Sequence, residues 1–108
     1  MPIANKNINY TPAAVIKAKL EKSKNKAYLL HWETIPENIE NKAVKYLVYK
    51  FNNNEVIDLN QAANIIAITG DNQLNITRKE VKEAKTFVII AVSKNNNLST
   101  PVRVESKN

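Results

Sequence analysis

The chain has 108 residues and a mass of 12.2 kDa, enough for one domain around one core. It has no cysteine, which excludes disulfide frameworks, thiolate metal sites and thiol catalysis. Its net charge of +6 comes from sixteen Lys and Arg against ten Asp and Glu, and only Arg78 and Arg103 are Arg. Proteins that read nucleic-acid sequence lean on Arg for two-pronged contacts, so this balance does not point to a nucleic-acid partner. No apolar run approaches the roughly 20 residues of a membrane span. The first residues, Met-Pro-Ile-Ala-Asn-Lys, have no apolar signal core. Neither membrane insertion nor an export signal is expected of this sequence.

Residues 1–13, with Asn5, Asn7, Asn9, Pro2 and Pro12, read as a linker or N-terminal arm, and 105–108 as a polar tail. Between them lie short strand patterns. Ile16, Ala18 and Leu20 alternate with Lys17 and Lys19, and 22–26 follow as a turn. Tyr28, Leu30 and Trp32 alternate with Leu29 and His31 until Pro36, Glu37 and Asn38 break the strand. Residues 44–51 are rich in β-branched and aromatic side chains. Residues 58–63 suit a short helical turn capped by Asp58 or Asn60. Residues 65–69 form an apolar strand stopped by Gly70-Asp71-Asn72, and Leu74 with Ile76 suggests another. Residues 86–92 are continuously apolar, as a central strand should be, and Val102 with Val104 closes the series.

Seventeen Asn stand beside a single glycine, Gly70. Turns in a β protein need residues that tolerate positive φ, and Asn is the next choice after Gly. The Asn runs at 52–54 and 95–97 therefore read as replacements for glycine turns. About seven short strands with such turns predict an all-β chain: an antiparallel sandwich of two sheets, three strands on four. A helical reading fails because the apolar period is two. The rival stretch, 78–85, has four Lys or Arg, two Glu and a single Val, and so little face to bury.

With these residues in place the sequence resembles a fibronectin type III domain, an immunoglobulin-like β-sandwich, over 14–104. The resemblance is carried by Leu30-His31-Trp32, by Tyr46-Leu47-Val48, by Phe87, Ile89, Ala91 and Val92, and by Ser99-Thr100-Pro101. The family often has a tyrosine where Lys85 stands, so the hydrogen bond that ties one corner is not expected. A narrower resemblance rests on residues 42–51, on Asp58-Leu59-Asn60 and on residues 65–69. These are similar to the module that follows the catalytic barrel in Bacteroides-type, family-10-like bacterial glycosylhydrolases. The resemblance implies a non-catalytic accessory or spacer domain. Its partner would be the catalytic domain of the same polypeptide. The parent would be exported, whether periplasmic, lipoprotein or cell-surface. The chain itself would be a monomer, with no catalytic residue, metal or cofactor carried over.

Glycoside hydrolysis needs two carboxyl groups across a cleft, about 5–10 Å apart. The acidic residues here fall in expected turns, strand ends and polar stretches. His31 is the only histidine, so a triad or a His-based metal site lacks partners. It should sit on the face opposite Leu30 and Trp32. Asp58 with Asn60, and Asp71 with Asn72, suit turn and cap bonding better than calcium. The lysines of 22–26 and 79–85 read as solvated loop charge, without the interleaved aromatics of single-strand binders. The expected core is Ile16, Leu20, Leu30, Trp32, Tyr46, Val48, Phe87, Ile89 and Ala91.

Leu47, Tyr49 and Phe51 remain. If Tyr46 and Val48 face the core, these three form an apolar stripe on the outer sheet face. Three readings are open: residues 55–64 cover the stripe, it docks against a catalytic barrel, or it stacks on sugar rings of a polysaccharide. The alternatives to the spacer reading are accordingly a carbohydrate-binding module and a self-standing protein-interaction domain that uses an edge strand or the lysine loops.

Overall fold

The computed structural model of the chain describes residues 11–22, 27–36, 42–52 and 55–105, and the side chains of all of these except 83–85. Among these residues seven strands and one short α-helix follow in order: β1 (Ile16–Lys22), β2 (Tyr28–Glu33), β3 (Ala43–Asn52), β4 (Ile65–Thr69), β5 (Gln73–Ile76), α1 (Arg78–Glu83), β6 (Ala84–Ser93) and β7 (Val102–Glu105). They form two antiparallel sheets, β1-β2-β5 and β4-β3-β6-β7. This is the sandwich of three strands on four that the strand pattern predicts.

Register sets the core. β3 and β6 pair Tyr46 with Ala91 and Val48 with Ile89, and β6 and β7 pair Phe87 with Val104. In the other sheet Leu20, Leu30 and Leu74 stand abreast across β1, β2 and β5. Because side chains alternate along a strand, these rows face one another between the sheets. Leu30, Trp32, Tyr46, Val48, Phe87, Ile89 and Ala91 all lie in the central cluster, joined by Ile76, Val81 and Val104. The Trp32 and Tyr46 rings meet edge to face at 5.3 Å. Trp32 Nε1 is buried without a hydrogen-bond partner among the described residues. The apolar surface of the ring, not its N–H, accounts for its place there.

Four local expectations need correction. Ile16 is only half-buried and stands outside the cluster, whereas Val15 is inside it. The cause is a register shift between Ile16 and Lys19, where Lys17 adopts φ 52°. The extra residue breaks the two-residue alternation at the start of β1, and Ala18 and Leu20 then resume it against the core. The stretch 78–85 does begin as a helix. Thr77 Oγ1 accepts from the Glu80 N–H at 3.1 Å, and Glu80 Oε1 accepts from the Thr77 N–H at 3.1 Å. This reciprocal capping box starts α1, and the single Val81, fully buried, fastens it to the core. The helical turn expected over 58–63 is a 3-10 turn at Ala62–Asn64, with no side-chain cap. Asp58 instead closes the preceding turn, where its Oδ1 accepts from the Asn60 N–H at 3.0 Å and its backbone O from the Gln61 N–H at 3.1 Å.

The turn after β6 bears out the reading of Asn as a stand-in for glycine. Asn96 has φ 64°, its N–H bonds the Ser93 carbonyl at 2.9 Å, and the Ser93 N–H bonds the Asn97 carbonyl at 3.0 Å. Beyond it, Ser99 stitches the returning chain to β6. Its N–H donates to the Ala91 carbonyl at 2.8 Å and its hydroxyl accepts from the Ala91 N–H at 2.8 Å. A serine side chain thus completes a rung just before Pro101, which has no N–H to give. Residues 53 and 54 of the other Asn run lie outside the described residues. So do Lys24, Lys26, Glu37, Asn38, Glu40, most of the N-terminal arm and residues 106–108, as does the Lys85 side chain.

Candidate functional site

The stripe on β3 lies on the outer face of the four-stranded sheet. Leu47 is opposite Ile90 and Ile68, and Tyr49 is opposite Val88 and Ile65. Yet Tyr49 and Phe51 are only 4% and 1% exposed. They form a second apolar cluster with Val88 and Ile90, against which Leu47, Ile57, Leu59 and Ile65 pack. The segment 55–64 therefore covers the face. Tyr49 and Phe51 stack almost in parallel, 6.0 Å apart and 7° between planes, against each other rather than towards solvent. The exposed aromatic platform that a sugar-stacking reading needs is not there, because both rings are buried under residues of this same chain.

Hydrogen bonds fix the cover. The Tyr49 hydroxyl donates to the Leu59 carbonyl at 3.0 Å. Asn64 Nδ2 donates to the Lys50 carbonyl at 2.8 Å and to Glu55 Oε2 at 2.9 Å. Glu55 Oε1 accepts from the Asn52 N–H at 3.0 Å. Burial raises the Tyr49 phenol above its ordinary pKa. The Asn52 N–H, then the Asn64 amide, hold the Glu55 carboxyl below its ordinary pKa. Both effects stabilise the protonation states present near neutral pH.

A second feature is a cavity of about 380 Å³ at one end of the sandwich, where the residues before β1 meet the β2–β3 and β4–β5 connections. Pro12, Ile35, Pro36, Lys42, Tyr46 and Asn72 are among its lining residues. Tyr46 is raised in pKa by burial, an effect opposed by a side-chain hydrogen bond with Thr34. Its described lining combines an amine, an amide and a phenol, with no carboxylate or imidazole beside them. That set can hold a group by hydrogen bonds, but it pairs no acid with a base.

His31 is placed on the outer face of the three-stranded sheet, where its Nε2 pairs with Glu21 Oε1. Lys79 and Lys82 are exposed on α1. Asp71 and Asn72 are exposed in the β4–β5 turn, where the Asp71 N–H bonds Thr69 Oγ1 at 3.0 Å. Among the described residues no three His, Cys, Asp or Glu side chains are grouped so as to hold a metal ion. No helix among them is long and apolar enough to cross a membrane.

Sequence reasoning missed Val15, Val81, Ser99 and α1. Two of these carried a signal, since Thr77-Arg78-Lys79-Glu80 is a capping-box sequence that leads to Val81. Ser99 belongs to the Ser99-Thr100-Pro101 turn, but its role as a side-chain rung shows only once β6 and the returning chain are side by side.

Together the two sheets, the covered face and the connections define a fibronectin type III-like β-sandwich. The chain is similar to the solved "Structure of FN3tt mut", at 21% identity and a TM-score of 0.60, over 88% of this chain and 93% of that one. It is similar also to titin structures: domains A168–A170, at 18% identity and a TM-score of 0.62, and the titin kinase with its flanking domains, at 18% and 0.61. The match covers 88% of this chain but only 31% and 16% of those two structures. No family model matches the chain. No curated protein matches it.

Proposed function

We propose that this chain is a non-catalytic spacer module that packs against or positions the catalytic barrel of a larger, exported, glycosylhydrolase-like enzyme. The observation that carries this reading is the structural unity of the residues behind the narrower resemblance. Residues 42–51, 58–60 and 65–69 are β3, the cover and β4, and they come together as one hydrogen-bonded, apolar unit. A second core on the outer face packs the four-stranded sheet on both sides, as suits a module that positions a neighbour. The fibronectin type III-like fold is commonly a spacer or interaction domain, and its chemistry lies in whatever it connects.

Burial of Tyr49 and Phe51 weighs against the carbohydrate-binding alternative. The part of this module that faces its neighbour is then an end or an edge of the sandwich rather than the β3 stripe. Immunoblotting of source-cell extract with an antibody raised against this domain tests the reading. A polypeptide several times heavier than 12.2 kDa supports it. A band at 12.2 kDa overturns it, and sugar release by the pure domain would overturn its non-catalytic part.

A further inference from the structure

We propose that residues 55–64 are a hinged cover that lifts from the four-stranded sheet while the sandwich stays folded, so that the apolar face of Tyr49, Phe51, Val88 and Ile90 is intermittently exposed. The two cores of this molecule are closed in different ways. The central cluster lies between the sheets, and its Val48 and Ile89 sit opposite each other on paired strands. Reaching it means parting the sheets. The second cluster is closed by the connection between β3 and β4, which is built from turns. Among the described residues the backbone bonds of this cover are local. The Glu55 N–H bonds the Asn52 carbonyl at 3.0 Å, the Gln61 N–H the Asp58 carbonyl at 3.1 Å, and the Asn64 N–H the Gln61 carbonyl at 3.0 Å. All three can persist when the cover lifts.

Side chains join the cover to the sheet. The Tyr49 hydroxyl reaches the Leu59 carbonyl, and the Asn64 amide reaches the Lys50 carbonyl. Ile57 and Leu59 are the apolar anchors of the cover, and both are only half-buried. Glu55, Val56 and residues 60–63 are exposed, Val56 at 82%. These contacts hold the whole segment in order, and its backbone and side chains regain their freedom on lifting. A segment with few buried apolar contacts belongs to the low-stability end of a fold, where opening is local rather than global. The bond between Asn52 and Glu55 and the 3-10 turn at Ala62–Asn64 mark the two ends, where the hinges are placed. Closed, the cover withdraws the apolar face from contact. Lifted, it presents a sheet face that carries the stacked Tyr49 and Phe51 rings.

The chain has no cysteine, so a single introduced thiol reports without interference. Val88 and Ile89 are neighbours on β6 and both fully buried, the first under the cover and the second between the sheets. Labelling of Val88→Cys and of Ile89→Cys with a thiol reagent in native buffer tests the proposal. Circular dichroism in denaturant gives each variant's own global stability and unfolding rate. Val88→Cys should be labelled at least about tenfold faster than its global unfolding allows, and Ile89→Cys no faster than its own allows. Leu59→Ala, which removes an anchor, should speed the labelling of Val88→Cys further and leave Ile89→Cys at its global rate. If Val88→Cys does not fold, Ile90→Cys, buried under the same cover, takes its place. Labelling of both thiols at the rate set by global unfolding would overturn the proposal. So would labelling of Ile89→Cys as far above that rate as Val88→Cys, because the sandwich itself would then be opening.

Discussion

The two outer faces of this sandwich are built from the same kind of strand and reach opposite ends. On the three-stranded sheet Lys19, His31 and Gln73 stand abreast, then Glu21, Leu29 and Asn75. Apart from the half-buried Leu29, that face is polar and can be solvated. On the four-stranded sheet Leu47 lies beside Ile90 and Tyr49 beside Val88, and residues 55–64 close over them. β3 and β6 are thus buried on both faces, which is why 86–92 read as an unbroken apolar run while β1 alternates. The difference shows that the connection between β3 and β4 works as part of the core rather than as a tether. Its Ile57 and Leu59 take the place that a neighbouring layer occupies in larger folds.

The contrast can be broken most directly at Phe51. Phe51→Ala should lower stability by about 3–5 kcal/mol, read from the denaturant midpoint, because the side chain is almost completely buried in the second core. A loss under about 1 kcal/mol would mean that the cover does not pack as a core. Tyr49→Phe keeps the ring and deletes the bond to Leu59, and should cost about 1 kcal/mol. It should also soften the alkaline limb. The folded state holds the phenolic proton above its ordinary value of 10.0, so stability present below that pH is lost as pH rises through the folded value. Tyr46, raised in the same direction, would retain part of that slope.

A smaller effect is expected at the rim of the cover. The Glu55 carboxyl is held below its ordinary value of 4.5, so its contribution is present above that pH and lost as pH falls through the lowered value. Glu55→Gln should flatten this acid limb in denaturant titrations, with the midpoint near neutral pH shifting little because the side chain is exposed. The smallest effect belongs to the open face. His31→Ala removes the contact with Glu21 and should change stability by no more than about 0.5 kcal/mol, since a solvent-exposed polar contact competes with water. A loss as large as that of Phe51→Ala would erase the distinction between the faces.

Much of the sandwich was legible because strand periodicity needs only neighbouring residues. Leu30 with Trp32 and Tyr46 with Val48 declare an inward face by spacing alone, and Asn96 at φ 64° follows from the scarcity of glycine. Ile16 was misplaced because a bulge leaves no mark in an alternating pattern. α1 was discounted because composition measured how much apolar surface it has, and not that one fully buried Val81 with a capping box suffices for six residues. The candidate site was half legible. The outward stripe Leu47, Tyr49 and Phe51 could be read from parity, but what lies against it could not.

The sequence by itself therefore determined the all-β class, the number of strands and which residues point to the same side, because these follow from local backbone geometry and a period of two. The tertiary structure alone decided the pairing order and the burial of Tyr49 and Phe51 beneath 55–64. Those outcomes depend on which distant segments meet. Covering an apolar face is favourable wherever a connection is long enough to reach it, and only the folded chain shows which connection does so.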